Sequence, residues 1–598
     1  MAHELQLLPF VPQCLSAFVP SSSHHIQATR AAAWAKLFVL IMIIGLLGLL
    51  ARVVQLKLGA DPRLAQVVGA PISSRPERAP RGDLLDRRGR VIATSTLGYR
   101  LFVDPQVIGD RETIAVDLAD LIDCAPLDID RRILRRPESR YVVISQLLDD
   151  SQVDRLRRAN LRGVGIEPRP VRRYPHGDLA AAVVGRVGVD HVGLTGLEYR
   201  LDDQLASRPG RLRYLRDARR RAMWIDAEGY EPPKAGRDVR LSLDLVVQET
   251  ARRHLQRAVD RHAAAGGRVV VLDCRTGELL AVADIVNPDP ANAPVSPRDG
   301  SAGPPSGAVA RNRCVTDPYE PGSTFKPFIW AVATELGKAS PDEVLPTPAP
   351  GTSPYRTSRG RRIRDVHPRG PATWSTVLVK SLNSGMAIVA ERMTDHEMQE
   401  AIARFGFGAT TACGLPGESA GLLTPPKRWS HYTQTSVPMG HEIAVTAVQM
   451  VRAFSVFARD GTMPALRITA LRPRDERFPF VCRVLSEPVA AAVRAALRKV
   501  VTEGTGRAAR SRTYRIFGKS GTPQLPRPDG GGYYEDRYRS TFIGAAPLES
   551  PRIVVLCVID DPERSTGYFG GATAGPVVRD IIDETLAYLG VPGDEEKP

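Results

Sequence analysis

The most apolar stretch of the chain comes early. Residues 37–51 (LFVLIMIIGLLGLLA) contain no polar side chain, and residues 31–35 extend the run past Lys36. From Ala31 this is long enough, as a helix, to cross the ~30 Å of hydrocarbon in a bilayer. Lys36 and Arg52 can carry their charges to the interfaces on their aliphatic stems. The run starts late and no Ala-x-Ala cleavage pattern follows it, so the expectation is a retained anchor over 31–57 rather than a removed signal. Residues 1–30, polar with clustered Ser and His, read as a short cytoplasmic tail. Arg30 and Lys36 on one side face Arg52 and Lys57 on the other, so charge alone fixes no orientation. A single anchor before a large polar region implies that the bulk of the chain is exported.

Beyond the anchor, short periodic segments alternate with turns. Residues 81–93 (RGDLLDRRGRVIA) predict a strand, a turn at Arg88-Gly89 and a second strand. Residues 111–160 predict helix, with Ile114, Val116, Leu118, Leu121 and Ile122 on one side. The composition changes near Gly236. A strand over 239–244 precedes an amphipathic helix over 245–258, and residues 268–273 and 278–283 form a hairpin about Thr276-Gly277. Residues 287–310 are rich in Pro, Gly, Ser and Ala and read as a mobile flap, and 339–372 as a second irregular stretch. Helical patterns cover 374–404 and 445–458, strands 514–518, 539–545 and 552–559, and a closing amphipathic helix 576–589. A helical middle flanked by strands predicts an α+β (mixed α/β) fold around one largely antiparallel sheet.

Composition narrows the class. A chain of 598 residues with 43% hydrophobic and 25% charged residues is globular and larger than one domain. Its net charge of +15 suits an anionic membrane surface or polymer. The charge is mostly scattered Arg, densest over 211–221, and no nucleic-acid motif accompanies it, which argues against a nucleic-acid partner. Seven Cys are spread singly without a C-x-x-C pair, which argues against a zinc site or a dense disulfide framework. His396-Glu397 and His441-Glu442 lack the second His of a zinc-protease helix, since Glu400 and Val445 stand there, and both read as surface or packing residues. No metal or cofactor site is expected. Arg81-Gly82-Asp83 lies inside the strand–turn–strand segment and reads as structural rather than adhesive.

The candidate chemistry centres on residues 319–327 (YEPGSTFKP). Pro321-Gly322 forms a turn, and Ser323 opens a helical run that puts Lys326 on its own face. A Ser hydroxyl becomes a useful nucleophile when a base takes its proton, and a Lys one turn away can serve once its pKa is lowered. Alone, the pair is also an ordinary helix cap with a surface Lys. Ser381-Leu382-Asn383 follows 58 residues on, and Lys519-Ser520-Gly521-Thr522 lies 138 beyond that. The three segments in this order form the signature shared by penicillin-binding proteins and serine β-lactamases.

With these motifs the chain resembles the class B penicillin-binding proteins, the monofunctional peptidoglycan transpeptidases, and most of all the FtsI type of the division septum. The likeness runs from about Arg81 to the end. It includes residues 81–93, Gly193-x-x-Gly196-x-Glu198, residues 236–248, Asn312-Arg313 with Asp317 and Tyr319, Glu503-Gly504-Thr505-Gly506 and Tyr568-Phe569-Gly570-Gly571. It implies the serine β-lactamase and penicillin-binding transpeptidase fold over 236–598, with an elongated N-terminal pedestal over 58–235. It implies Ser323 as the nucleophile, Lys326 as its base, Ser381 as a proton relay and Asn383 as a substrate and Lys326 ligand. Lys519, Ser520 and Thr522 would hold the terminal carboxylate, Gly521 would let the ligand approach, and the N–H groups of Ser323 and Thr522 would form the oxyanion hole. Departures are Ser520 where Thr is commoner, the bulky Leu382, and Gly440-His441-Glu442 in place of a Gly-Tyr-Gly-like stretch. The implied partners are a stem pentapeptide donor, an amine acceptor, β-lactams, membrane lipid and divisome proteins that include an FtsW-type glycosyltransferase. The implied seat is the inner membrane, single-pass, with the bulk periplasmic. A D,D-carboxypeptidase or β-lactam sensor using the same acyl-enzyme, and a silent division scaffold, are the alternatives.

Overall fold

Residues 266–273 are buried along their whole length, and the period of two explains why. Val269 and Val271 face one core, while Val270 and Leu272 face another. Residues 553–560 divide the same way, so the continuous apolar runs are strands covered on both faces. This computed structural model describes residues 24–58, 72–216, 222–225, 230–287, 311–470, 482–527 and 531–594. The expected tail over 1–23, the flap over 288–310 and part of the Arg-rich patch, 217–221, lie outside the described residues.

The described residues fall into two units. One holds the helix His24–Leu58 and an antiparallel three-stranded sheet of Ile72–Glu77, Gly210–Arg216 and Ala222–Ile225. Within that helix, Ala32–Gln55 is long and apolar enough to span a membrane. The other unit comprises residues 78–209 and 233–594.

The larger unit carries the main sheet. Its elements, in chain order, are α1 (Leu245–Arg261), β1 (Gly266–Asp273), β2 (Glu278–Val286), α2 (Lys326–Glu335), α3 (Trp374–Lys380), α4 (Asn383–Ala390), α5 (Ala447–Ala458), α6 (Glu487–Thr502), β3 (Phe517–Gly521), β4 (Tyr533–Ala546), β5 (Ile553–Asp560) and α7 (Gly570–Tyr588). The strands run β2-β1-β5-β4-β3, antiparallel throughout, which leaves β3 at the edge of this path. α1 and α7 cover one face, and the helical middle led by α2 and α5 covers the other. The chain therefore brings its three motifs to one place: one before a core helix, one between two helices and one on an edge strand.

Two expectations need correction. Within 111–160 the helices Arg111–Ile122, Pro126–Leu134 and Asp150–Ala159 are separated by a strand, Val142–Leu148. There Val142, Ile144 and Leu148 face the core while Gln146 on the same face is exposed, a short and broken period-2 pattern hidden between stronger helical signals. On the first helix Ala115, Leu118, Ala119 and Ile122 are buried, whereas Val116 points to solvent. The 239–244 strand shortens to Val239–Arg240, which pairs in parallel with Leu84–Leu85.

The segments 81–83 and 193–198 meet in a buried ion cluster. Glu198 accepts from Arg81 Nε and Arg172 Nε, both at 2.7 Å, with its side chain fully buried. Arg81 also donates to the carbonyls of His191 and Glu198, and Gly82 packs on the Arg237 backbone, leaving no space for a Cβ. Arg81-Gly82-Asp83 is thus an internal brace. Removing one partner of such a cluster strands a buried charge. Glu198→Ala is expected to lower unfolding stability by about 3–5 kcal/mol, measured by urea unfolding of the purified chain; a loss under about 1 kcal/mol would contradict the brace.

Candidate active site

α2 is buried on every side from Lys326 to Ala333. Phe325 and Phe328 sit among Phe405, Phe407 and Phe457, and Trp330 stacks on Trp374 at 5.7 Å while its Nε1 donates to the Trp374 carbonyl. Such a helix is apolar all round because it is core, so the one amine it carries must be answered by designed partners. The turn before it, Gly322–Thr324, is a single 3₁₀ turn in which Gly322 takes φ +55°, a conformation glycine adopts without strain. Ser323 therefore precedes the α-helix rather than opening it.

Lys326 Nζ donates to the Ser381 carbonyl at 2.7 Å, to Asn383 Oδ1 at 2.7 Å and to Ser381 Oγ at 3.3 Å. Lys519 Nζ approaches the same Ser381 hydroxyl at 3.0 Å from β3 and donates to the Ser520 carbonyl at 2.9 Å. Both Lys side chains are fully buried. Burial pushes Lys326 down to about 7, with Asp365 acting weakly the other way. Burial, and then repulsion from Lys326, hold Lys519 well below the usual amine range. Ser381 takes φ +60° between α3 and α4. The 374–404 stretch is thus three helices, with the first break at Ser381-Leu382, and a non-Gly residue in that region costs about 1–3 kcal/mol unless its surroundings hold it.

Ser323, Ser381, Asn383, Ser520, Gly521 and Thr522 line one cavity of about 590 Å³. Lys326 and Lys519 lie beneath it. Ser520 Oγ shares a hydrogen bond with Thr505 Oγ1 at 2.7 Å, and Thr522 Oγ1 accepts from the Gly570 N–H at the start of α7. The requirement for Gly521 differs from expectation. A Cβ there would lie 2.5 Å from Thr541 Oγ1 and 2.9 Å from the Pro321 carbonyl, so packing of β3 onto β4 and the turn before Ser323 excludes it before any ligand does.

Asp365 carries no signal in the sequence, and Glu320 and His441, though inside segments that the sequence singles out, are assigned no part in the site by it. Asp365, from the irregular stretch, accepts from the backbone N–H of Asn383 and Ser384 and from the Ser384 hydroxyl, and so caps α4 from a distance. Glu320 accepts from His441 Nδ1 at 3.0 Å, Tyr533 OH at 2.9 Å and the Glu442 N–H at 3.0 Å. His441, set aside as packing, lines the cavity, because Gly440 seats against the Gly322 backbone. Only tertiary contact reveals these residues; the acidic and His positions differ in nothing from surface residues by spacing.

Residues 267–583 match the family described as the penicillin binding protein transpeptidase domain, and residues 76–241 the penicillin-binding protein dimerisation domain. The chain is a class B penicillin-binding protein. It is 33% identical over 520 residues to the probable peptidoglycan D,D-transpeptidase PenA of Neisseria meningitidis serogroup A, covering 86% of this chain and 85% of that one. It is 31% identical to the peptidoglycan D,D-transpeptidase FtsI of Escherichia coli K12, covering 86% and 84%. The structure of penicillin binding protein 3 from Mycobacterium tuberculosis, complexed with aztreonam, superposes with a TM-score of 0.63 at 28% identity, covering 87% of this chain and 98% of that one.

For this penicillin-binding protein the buried amine sets a pH profile. A base must be neutral to act, and the neutral fraction of an amine falls as pH falls below its pKa. Acylation by a penicillin is expected to be level above about 7, the position of Lys326, and to fall about tenfold per pH unit below it. A stopped-flow profile from pH 5 to 9 checks this, and a flat profile would remove Lys326 as the base. Asp365→Asn takes away the charge that holds Lys326 up and weakens the α4 cap. It should slow acylation and move the midpoint to lower pH, whereas an unmoved midpoint would make Asp365 a structural residue alone.

Proposed function

We propose that the chain cross-links peptidoglycan stem peptides as a serine D,D-transpeptidase at the division septum, and that β-lactams inhibit it by acylating Ser323. What supports the residue roles is the meeting of two fully buried amines at one hydroxyl, Ser381 Oγ, which lines the same cavity as Ser323.

In this reading Ser323 Oγ attacks the carbonyl of the penultimate D-Ala while Lys326, in its neutral form, takes its proton. The N–H groups of Ser323 and Thr522 receive the developing oxyanion at the edge of β3. Lys519, charged when an anion is bound, joins the hydroxyls of Ser520 and Thr522 around the terminal carboxylate. As the C–N bond breaks, the proton passes from Lys326 through Ser381 Oγ to the leaving amine. Asn383 holds Lys326 in line and hydrogen-bonds the substrate amide. An acceptor amine then attacks the ester carbon, its proton returns by the same relay to Ser323, and the new amide is the cross-link.

The helix over 24–58 would hold the chain in the inner membrane with the catalytic part on the periplasmic side, where the donor lies. An FtsW-type glycosyltransferase and other divisome proteins would be its partners there, with membrane lipid around the anchor.

The test is labelling of the purified chain with a fluorescent penicillin. Wild type should label, with the adduct on Ser323 by mass spectrometry. Ser323→Ala should not label, and Lys326→Ala should label about 10²–10⁴-fold more slowly. A folded wild type that stays unlabelled, or an adduct on another residue, would overturn the assignment.

A further inference from the structure

The cavity lining combines an aromatic stack with a cluster of cations. Tyr538 stacks on Tyr568 and Tyr568 on Phe569, each at 4.5 Å. The cations are Arg369, Lys380 and Arg507, with His367 beside them and Glu503 as the one carboxylate among the described lining residues. Lys380 directly precedes Ser381, and its amine donates to the Glu503 carbonyl. Gly504 packs on the Val379 carbonyl with no space for a Cβ, and Thr505 holds Ser520, so the segment that carries Arg507 is fixed against the end of α3. Arg369 and Arg507 are exposed and make no ion pair among the described residues; burial lowers the Lys380 amine, repulsion from Arg369 and Arg507 adds to this, and Glu503 acts the other way. Three cations against one carboxylate, held at the mouth of a cavity, form a site for an anion.

The place of the patch says which anion. Ser381 delivers the proton to the leaving amine, so the leaving D-Ala departs on the Ser381 and Ser520 side. The acceptor amine attacks the same carbon and must enter where that amine left. Its adjacent carboxylate, if it has one, falls where the D-Ala carboxylate was, on Lys519, Ser520 and Thr522. The patch adjoins that place, since Lys380 precedes Ser381 and the segment carrying Arg507 holds Ser520 through Thr505. Resting on the transpeptidase reading above, we infer that Arg369, Lys380 and Arg507 bind a second carboxylate, carried by the acceptor strand, and so select polyanionic acceptors. Two like-charged ligand groups near three fixed cations are attracted at longer range than either hydrogen bond alone.

The experiment uses the full chain in detergent with a D-alanyl thioester as donor. Thiol release reports acylation, and mass spectrometry gives the ratio of amide to free acid. The acceptors are D-glutamate and D-2-aminoadipate, each against its side-chain amide, which keeps the reacting amine and its carboxylate the same. Wild type should favour each dicarboxylate over its amide by about tenfold. The doubly substituted Arg369→Gln, Arg507→Gln chain should lose most of that preference, and Arg369→Glu with Arg507→Glu should favour the amides. Equal preference in wild type and the Gln chain, while thiol release continues, would overturn the inference and leave the transpeptidase reading standing. Absence of thiol release from wild type would sink both.

Discussion

The amines of Lys326 and Lys519 meet at the Ser381 hydroxyl, at 3.3 and 3.0 Å, where neither side chain reaches solvent. Two ammonium groups cannot both stay charged in such a place, since each desolvation costs several kcal/mol and their repulsion adds to it. The rest of the site answers that constraint. Lys326 gives its protons to the Ser381 carbonyl and Asn383, and Lys519 gives one to the Ser520 carbonyl, so no donor is orphaned. Ser381 adopts the left-handed conformation that offers both its carbonyl and its hydroxyl to one amine.

Holding these groups in register is the task of the layers behind them. Asp560, on β5, accepts from Arg268, Arg313 and Arg539 at 2.7–3.0 Å. Burial alone would raise its carboxyl, but the three guanidinium groups hold it well below the usual carboxylate range. Arg268 and Arg539 also lie over the buried Tyr319 ring, at 5.2 and 5.3 Å. The segment that ends in Ser323 is thereby tied to the sheet four residues before that serine. Asp365 does the same for Asn383, and α7 for Thr522 through Gly570. Gly570 itself leaves no space for a Cβ against the Gly521 carbonyl, which is how closely the helix start approaches the edge strand.

The strands and helices with one strong period were legible before any coordinates. Residues 268–273, 278–283 and 552–559 read as strands because each is a short apolar run, the first two joined by the turn at Thr276-Gly277. The break at Ser381 was not legible, since α3 and α4 are both apolar and their patterns run on through it. Val142–Leu148 was lost between helices for the same reason. Within the site, Ser323 with Lys326 and Lys519 with Thr522 were visible because local geometry fixes their spacing. Asp365 and Glu320 were not, because each acts on residues brought near by the fold alone.

By itself, then, the sequence determined a segment long and apolar enough to span a membrane, most of the order of the elements and which side chains could do acyl transfer. These depend on hydrophobic period and short-range stereochemistry, which act between neighbours in the chain. The tertiary structure alone decided that Lys326 is desolvated, that both amines address one hydroxyl, that Gly521 is demanded by packing, and that Arg369, Lys380 and Arg507 line one cavity. Those properties depend on distances between residues tens to hundreds of positions apart, and an amine's charge follows from what surrounds it rather than from what precedes it.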